Sequence, residues 1–368
     1  MGRSTFRIYN EVDQHVDWVV ILCVIMLGLT GLFILLTTNI GLFWQQLGFL
    51  VIGAGIIYVV SRLDPVILWW FAPYGYILSL LVLILPYFGP SIRGAHRWIM
   101  IGGAQIQPSE IVKPLLLLAF ARLITTYSPR SLRWIFLHGV ALLIPALLVF
   151  KQPDLGTALV YMFSWFFMML AGGLSIVFVG VVLAVFVLLA PFLWHLLAQY
   201  QKNRIETFLN PALDPRGAGY NAMQAMIAVG SGGMFGRGLG RGTQSHLRFL
   251  PEYHTDFIFA TFIEELGFLG GISLLFIYAT LLWQILLPHI RGRMGNPFVF
   301  FYTIGLFGVI LTQVLINSGM NMGIIPVTGI TLPLVSYGGS SILSLCLAFG
   351  LLFAMRRGGP NMGDVAIH

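Results

Sequence analysis

Charged residues are scarce in this chain of 368 amino acids. Only 9% of its residues are Asp, Glu, Lys or Arg, whereas 58% are hydrophobic. A soluble globular domain carries about 25% charged residues, and a disordered chain is poor in apolar ones. The composition therefore excludes both an ordinary cytosolic enzyme and an intrinsically disordered protein.

Cysteine and lysine are scarce as well. The two cysteines, Cys23 and Cys346, both lie in apolar runs, which excludes a disulfide framework and a cysteine zinc site. Arginine supplies most of the basic residues, and the net charge is +7. Its planar fork of donors suits phosphate and carboxylate groups. The sequence lacks the soluble basic surface of a nucleic-acid binder, so we expect no nucleic-acid partner and favour anionic lipid headgroups.

Long charge-free stretches fix the fold class. Asp, Glu, Lys and Arg are absent from residues 18–61, 65–92, 155–201, 266–290 and 294–355. A membrane-spanning helix needs about 20 apolar residues. Cutting the chain at Gly, Pro, Asn and charged residues predicts ten such helices, near 17–37, 43–60, 66–87, 110–125, 134–150, 155–171, 174–196, 256–287, 298–318 and 340–355. We therefore predict an all-α polytopic membrane protein that forms one integral membrane domain over residues 1–368.

The distribution of arginine predicts the orientation in the membrane. Ten spans place both termini on one side, and the segments on that side hold Arg3, Arg7, Arg62, Arg122, Arg130, Arg133, Arg291, Arg293, Arg356 and Arg357. The short segments on the opposite side hold one basic residue, Lys151. By the positive-inside rule, both termini are cytoplasmic. The two larger loops, 88–109 and 197–255, are then extracytoplasmic, and the second of them joins helices 7 and 8.

Charges of both signs gather on the predicted outer face. Glu110 and Lys113 are three residues apart and can pair on one helical face, either lining an outward cavity or simply easing membrane insertion. Asp256 precedes an apolar helix, so it is either a helix cap or a general base at the membrane interface. Carboxylates beside arginines suit a substrate with an anionic headgroup.

Two further features leave alternatives open. The glycine-rich run, residues 230–242, lacks the Gly-Lys-Ser/Thr ending of a nucleotide-binding loop. It is either a loop that packs close to the bilayer or a place where backbone amides approach a diphosphate. Glu264 and Glu265 lie inside an apolar helix, where charges are costly and are usually functional or paired.

Eight short motifs carry a family resemblance. They lie at 96–99, 107–110, 152–157, 214–220, 242–245, 250–260, 264–267 and 333–340. The most specific read Gly-Thr-Gln-Ser at 242–245 and Pro-Glu-Tyr-His-Thr-Asp at 251–256. Together, in this order and with a ten-helix layout, they resemble the SEDS family (shape, elongation, division and sporulation). The Gly-Thr-Gln-Ser motif is closer to the elongation branch, RodA, than to the division branch, FtsW.

The resemblance implies an enzyme. It implies a peptidoglycan glycosyltransferase that polymerises lipid II at the outer face of the bacterial cytoplasmic membrane, for cell-wall elongation and rod shape. A class B penicillin-binding protein, which is a transpeptidase, is the implied partner. The essential carboxylate of the family corresponds to Asp256, and its polar pair corresponds to Glu110 and Lys113. The other residues expected at the substrate are Arg97, Lys151, Asp154, Arg204, Arg216, Arg241, Gln244, Ser245, Glu252, His254 and Ser336.

The chemistry expected of such an enzyme is one displacement with inversion. Asp256 takes the proton of the acceptor hydroxyl while Lys113, Arg204 and Arg216 neutralise the departing undecaprenyl diphosphate. A divalent cation, Mg²⁺ or Mn²⁺, is an alternative source of that neutralisation. A flippase for lipid-linked oligosaccharides would need polar groups through several helices, yet spans two, three, seven and nine carry no charge. A non-catalytic scaffold of the cell-wall complex is the third alternative, and it would tolerate Asp256→Asn.

Overall fold

The fold is built almost entirely from helices. The computed structural model describes residues 17–89, 96–101, 104–196, 199–210, 217–247, 249–292 and 295–357. The helices are α1 (Trp18–Thr38), α2 (Ile40–Val60), α3 (Pro65–Ile84), α4 (Pro108–Ile111), α5 (Lys113–Thr126), α6 (Leu132–Lys151), α7 (Leu155–Ala171), α8 (Ile176–Leu196), α9 (Gln199–Leu209), α10 (Ala218–Ser231), α11 (Thr243–His246), α12 (Ile258–Ile290), α13 (Pro297–Asn321) and α14 (Gly339–Arg357). A 3₁₀ turn, Leu85–Phe88, extends α3.

A helix lies at each of the ten segments that the charge-free stretches predict, and most bounds agree within three residues. In the part of the chain that the structure describes, seven helices are long and apolar enough to cross a membrane. Two further apolar helices, Leu155–Ala171 and Ile176–Phe192, are shorter. The chain is therefore a helical protein with several membrane-spanning segments.

Polar side chains start several of these helices. Asn39 caps α2 by accepting hydrogen bonds from the N–H groups of Gly41 and Leu42. Asp64 and Asn296 cap α3 and α13 in the same way. Caps of this kind satisfy N–H groups that have no partner inside the helix. They explain why the apolar stretches break where they do.

The predicted loop 88–109 holds a small antiparallel hairpin. Strand β1 (Ile99–Ile101) pairs with β2 (Ala104–Ile106), with Ile99 opposite Ile106. The hairpin leads directly into α4. It therefore sets where Gln107 and the following residues enter the helical bundle.

The predicted fourth span is not one helix but two, α4 and α5. They meet at Val112, whose φ is −78° and ψ is −11°. Pro114 has no N–H, so it cannot donate to the carbonyl of Glu110 one helical turn earlier. The hydroxyl of Ser344 on α14 donates to that carbonyl instead, at 2.6 Å. The break therefore ties the start of α5 to α14.

The long eighth predicted helix is kinked. Inside α12, Gly267 has a φ of 72° and a ψ of −171°, a conformation that glycine adopts most readily. The glycine-rich run supplies the hydrogen bonds that the kink breaks: Phe268 N–H donates to Gly233 O at 2.8 Å, and Arg237 N–H donates to Glu264 O at 2.9 Å. The run therefore packs on the backbone of α12, and both of its interpretations, packing near the bilayer and approach to a diphosphate, stay predictions.

Candidate active site

Asp256 lies in a turn and is not part of a helix. The helix α12 begins at Ile258, and Phe257 occupies its N-cap position without a side-chain cap. Asp256 is half-buried one residue before that cap. The interpretation of Asp256 as the cap of this helix is therefore wrong, and the base interpretation stays a prediction.

Two asparagines on α13 hold the backbone of the Asp256 turn by hydrogen bonds. The amide nitrogens of Asn317 and Asn321 donate to the carbonyl of Asp256 at 2.9 Å and 3.0 Å. The same nitrogen of Asn317 also donates to Ile330 O at 2.7 Å. Both asparagines are fully buried. Sequence reasoning missed them, although two amides one helical turn apart in a charge-free helix were a visible signal.

The segment between α13 and α14, residues 322–338, lies against the Asp256 turn. Gly329 has a φ of 77°, and a Cβ placed there would lie 3.5 Å from Asp256 Oδ2. The backbone thus approaches the carboxylate with no side chain between them. This segment, here called the crossing segment, forms one wall of the candidate site.

Ser336 fastens the crossing segment to the turn. Its hydroxyl donates to Thr255 O at 2.6 Å and accepts from Leu332 N–H at 2.8 Å. The N–H of Tyr337 donates to His254 O at 2.9 Å. Ser336 was expected at the substrate, and the structure places it at the backbone next to Asp256. Burial raises the pKa of Tyr337, and its hydroxyl donates to Gln45 Oε1.

Glu252 closes the same turn. Its φ is 52°, and its carbonyl accepts from the N–H groups of Thr255 and Phe257 at 3.1 Å and 3.2 Å. Its carboxylate accepts from the Thr255 hydroxyl at 3.1 Å. The ring of His254 lies between those of Tyr253 and Tyr337, with centroids 5.0 Å and 5.8 Å away. Glu252 and His254 are thus both within the structure that shapes the Asp256 turn.

Glu110 and Lys113 form the ion pair that their spacing predicts. Lys113 Nζ lies 2.6 Å from Glu110 Oε1, and both residues are buried. A buried charge is tolerated when its opposite is within hydrogen-bonding distance. The pair is therefore a fixed feature at the junction of α4 and α5.

Asp154 joins α7 to the start of α4. Its Oδ1 accepts from Thr157 N–H at 3.2 Å, which caps α7. Its Oδ2 accepts from Gln107 Nε2 at 2.8 Å and from the Ser109 hydroxyl at 3.2 Å. The N–H of Gln107 in turn donates to the hydroxyl of Ser340 at 2.9 Å. Gln107 and Ser340 were not among the expected site residues, although both lie in the family motifs.

The crossing segment connects these groups. The carbonyl of Thr328, next to Gly329, accepts from Arg204 Nη1 at 3.4 Å. A Cβ on Gly156, in the first turn of α7 after Asp154, would lie 3.1 Å from the same carbonyl. Asp256, Asp154 and Arg204 are therefore brought to one region, although they are separated by up to 102 positions in the sequence.

A small cleft of about 30 Å³ opens beside Arg204. It lies between α9, α10, the end of α13 and the crossing segment, and it is lined by Arg204, Thr207, Phe208, Ala222, Met226, Met320, Gly323, Ile325 and Val327. Its lining combines one guanidinium with mostly apolar side chains.

Gln244 and Ser245 lie elsewhere. The N–H of Gln244 donates to Glu264 Oε1 at 2.9 Å, and the Ser245 hydroxyl lies 3.4 Å from Glu264 Oε2. His246 Nε2 lies 2.9 Å from Glu265 Oε1. The Gly-Thr-Gln-Ser motif thus binds Glu264, and the adjacent His246 binds Glu265; both glutamates are fully buried beside the kink. Both glutamates therefore have hydrogen-bond partners inside the protein.

The remaining expected residues are basic. Lys151 is exposed at the last residue of α6, and Arg241 is exposed in the glycine-rich run. The guanidinium of Arg97 lies 4.6 Å from the ring centroid of Trp98. Arg216 lies outside the described residues. The described contacts of Lys151, Arg241 and Arg97 do not join them to the Asp256 turn.

Comparison with known proteins gives a consistent result. The chain is 40% identical over 320 residues to the peptidoglycan glycosyltransferase MrdB of Escherichia coli (strain K12), which covers 86% of each protein. A chain from a peptidoglycan synthase complex that coordinates polymerization and crosslinking is 30% identical, with a TM-score of 0.81 over 93% of this chain and 97% of that one. The rod shape determining protein RodA of Thermus thermophilus is 29% identical, with a TM-score of 0.69 over 92% of this chain and 96% of that one.

The family model gives the same answer for nearly the whole length. The model for FtsW, RodA and SpoVE, described as cell cycle proteins, matches residues 9–358. That range contains the Asp256 turn, the Glu110–Lys113 pair and the crossing segment. The chain therefore belongs to the FtsW/RodA/SpoVE family, the SEDS family that its motifs resemble.

Proposed function

We propose that this protein is a peptidoglycan glycosyltransferase that polymerises lipid II into glycan strands for cell-wall elongation. The observation that carries the proposal is the half-buried Asp256, held in a turn outside its helix against the crossing segment, whose Thr328 carbonyl accepts from Arg204. The similarity to MrdB, named as a peptidoglycan glycosyltransferase, and to RodA, named for rod shape, supports this substrate and this role.

The proposed topology has ten spans with both termini in the cytoplasm of a bacterium. The shorter helices α7 and α8, and the pair α4 and α5, complete the seven longer spans. Asp256, Asp154 and the Glu110–Lys113 pair all lie at helix starts that this topology assigns to the outer side. The loop between α8 and α12 then lies outside as well. The reaction accordingly takes place at the outer face of the cytoplasmic membrane.

In the proposed mechanism, Asp256 acts as a general base. Its carboxylate accepts the proton of the acceptor 4-hydroxyl while that oxygen bonds to the anomeric carbon of the donor sugar. The bond from this carbon to the diphosphate oxygen breaks, and the electron pair leaves with undecaprenyl diphosphate. One displacement converts the α-linked donor into a β-1,4-linked product.

Cationic groups stabilise the negative charge that grows on the leaving group. Arg204 is the leading candidate because its guanidinium lies beside Thr328, next to Gly329 at the Asp256 carboxylate. Lys113, paired with Glu110, is the second. Arg97, Lys151, Arg216 and Arg241 remain proposed contacts for more distant parts of the substrate.

A divalent cation fits the site only in part. Among the described residues, no group of three or more His, Cys, Asp and Glu could hold a metal. Mg²⁺ is often bound by one or two carboxylates together with substrate phosphates and water, which Asp256 and a diphosphate could provide. We derive no step through Mg²⁺ or Mn²⁺.

The proposed partner is a class B penicillin-binding protein. A chain that resembles this one, with a TM-score of 0.81, comes from a complex that coordinates polymerization and crosslinking. A glycosyltransferase makes strands, and a transpeptidase crosslinks them, so the two activities belong together. The partner supplies the second of these activities.

A reconstituted assay separates this proposal from its two alternatives. The purified protein is placed in vesicles with lipid II and with the penicillin-binding protein whose transpeptidase is blocked. Glycan strands are expected, resolved by length on a gel. Transfer of lipid II between leaflets without strands would favour the flippase. Neither strands nor transfer, with the partner shown to be bound, would favour the scaffold.

A further inference from the structure

We propose that Asn317 and Asn321 are positioning residues that keep Asp256 available as a base. The inference rests on the proposed function, because it assigns these asparagines a role toward the Asp256 carboxylate. Both lie on α13, one helical turn apart, and both are fully buried. Their amide nitrogens converge on one acceptor, the carbonyl of Asp256.

The first N–H groups of α12 need a hydrogen-bond acceptor, which an aspartate at the N-cap normally supplies. The first N–H groups of a helix have no partner within it, and an Asp or Asn at the N-cap accepts one at the second or third position. The N-cap here is Phe257, which has no polar side chain. The nearest carboxylate in the chain is that of Asp256, one residue away.

Asn321, on α13, supplies this acceptor from outside α12. The N–H of Ala260, the third residue of α12, donates to Asn321 Oδ1 at 3.2 Å. This is the hydrogen bond that an N-cap side chain would make. The same side chain donates to Asp256 O at 3.0 Å, so one amide both caps α12 and holds the turn before it.

Asn317 fixes the turn against the crossing segment. Its Nδ2 donates to Asp256 O at 2.9 Å and to Ile330 O at 2.7 Å. The backbone of Asp256 is thereby held at a set distance from Ile330, beside Gly329 at the carboxylate. The oxygen of Asn317 also accepts from Asn321 Nδ2 at 3.4 Å, which orients the second amide. The two side chains act as one clamp.

The clamp resolves a conflict between two roles of Asp256, which could serve either as the cap of α12 or as the base. A carboxylate used as a cap gains from the helix dipole and becomes a weaker base, because its charged form is stabilised. A base must instead face the substrate. Capping α12 with an amide from α13 separates the two roles, since the Asp256 carboxylate is not the cap of α12.

The test compares asparagine variants in the vesicle polymerisation assay. Asn321→Ala and Asn317→Ala are each expected to lower kcat by roughly 10- to 100-fold, the size expected for a misplaced catalytic group, with KM for lipid II within about twofold of wild type. Two variants are used so that a failure of one to fold leaves the other. Asn296→Ala is the matched control, since Asn296 caps the far end of the same helix through Phe298 N–H at 2.9 Å. It is expected to lower thermal stability and leave kcat unchanged.

Asp256→Asn, measured in parallel, separates the two proposals. Wild-type kcat in both clamp variants, with Asp256→Asn inactive, would overturn the clamp and leave Asp256 as the base. A rise in KM at unchanged kcat would also overturn it, since that is a binding effect. Wild-type activity of Asp256→Asn would overturn the base itself, and the proposed role of the clamp with it. If Asn296→Ala lost as much kcat as the clamp variants, the loss in those variants would be explained by destabilisation of α13, and the clamp would be overturned.

Discussion

At the residue scale, aspartate and asparagine side chains serve different purposes at the starts of different helices. Asp154 and Asn39 cap helices, whereas Asp256 lies just outside a cap that Asn321 supplies. The sequence around Asp154 and Asp256 is similar in kind, an acidic residue before an apolar helix. Only the long-range contacts from α13 separate a structural aspartate from the candidate base.

The Glu110–Lys113 pair allows a residue-scale prediction. Lys113→Met is expected to lower the free energy of unfolding by about 3–5 kcal/mol, because it leaves a buried carboxylate without its partner. Adding Glu110→Gln should restore part of the loss, since the charge is then gone. Thermal unfolding in detergent measures both. Lys151→Met is the control, since Lys151 is exposed. Equal stability of Lys113→Met and wild type would contradict the pair's importance.

At the element scale, the glycine-rich run and the kinked α12 form one unit. Glu264 and Glu265 are satisfied by the Gly-Thr-Gln-Ser motif and by His246. The run contributes backbone hydrogen bonds that a straight helix would make internally. Close approach of two backbones is what requires glycine at these positions.

Two glycines of the run give a matched prediction. Gly236 and Gly233 both have positive φ, so alanine is strained at either. A Cβ on Gly236 would lie 2.1 Å from Glu265 O, whereas one on Gly233 would meet nothing within 4 Å. Gly233→Ala is expected to cost about 1–2 kcal/mol of stability. Gly236→Ala should cost clearly more, because the run must move off the helix. Similar melting temperatures for the two variants would show that the contact is not tight.

Helices were the most predictable part of the structure, because each apolar stretch ends at a polar cap or a proline. The segment 155–171 was predicted with the bounds that α7 has. The kink at Gly267 was not predicted, since its cause lies some 30 positions earlier in the glycine-rich run. The division of the fourth span at Val112 needed Ser344, from the last helix, to complete it.

The site was predictable to a similar degree. The family motifs contain Asp256, Glu110 and Asp154, and Lys113 follows one of these motifs and pairs with Glu110. Asn317, Asn321 and Gly329 lie outside the motifs, and their role depends on packing between distant helices. Gln244 and Ser245 lie inside a motif, yet their contacts are with Glu264. Membership of a motif therefore indicates that a residue matters, but it does not distinguish a residue that binds substrate from one that stabilises the fold.

At the scale of the whole molecule, the proposed topology predicts which loops face the outside. A cysteine placed at Lys151, exposed at the end of α6, should react with a membrane-impermeant maleimide in intact spheroplasts. A cysteine at Arg291, exposed after α12, should react only after lysis. The native Cys23 and Cys346 are buried and serve as the background control. The reverse pattern of labelling would invert the orientation and place the candidate site in the cytoplasm.

The whole molecule also explains why one segment matters for several groups. The crossing segment contacts the Asp256 turn through Ser336, the Asn317 amide through Ile330, and Arg204 through Thr328. A shift of this segment would move all three at once. Because these contacts come from two helices and the Asp256 turn, the geometry of the site is a property of the assembled bundle.

The most direct test of the account is the polymerisation rate of Asp256→Asn. The variant keeps the size of the side chain and removes its ability to accept a proton, so it should bind lipid II like wild type and form no glycan strands with the penicillin-binding protein present. Size exclusion in detergent and unchanged thermal unfolding would show that the variant is folded. Strands made at the wild-type rate by a folded Asp256→Asn would contradict the account and direct attention to Glu110.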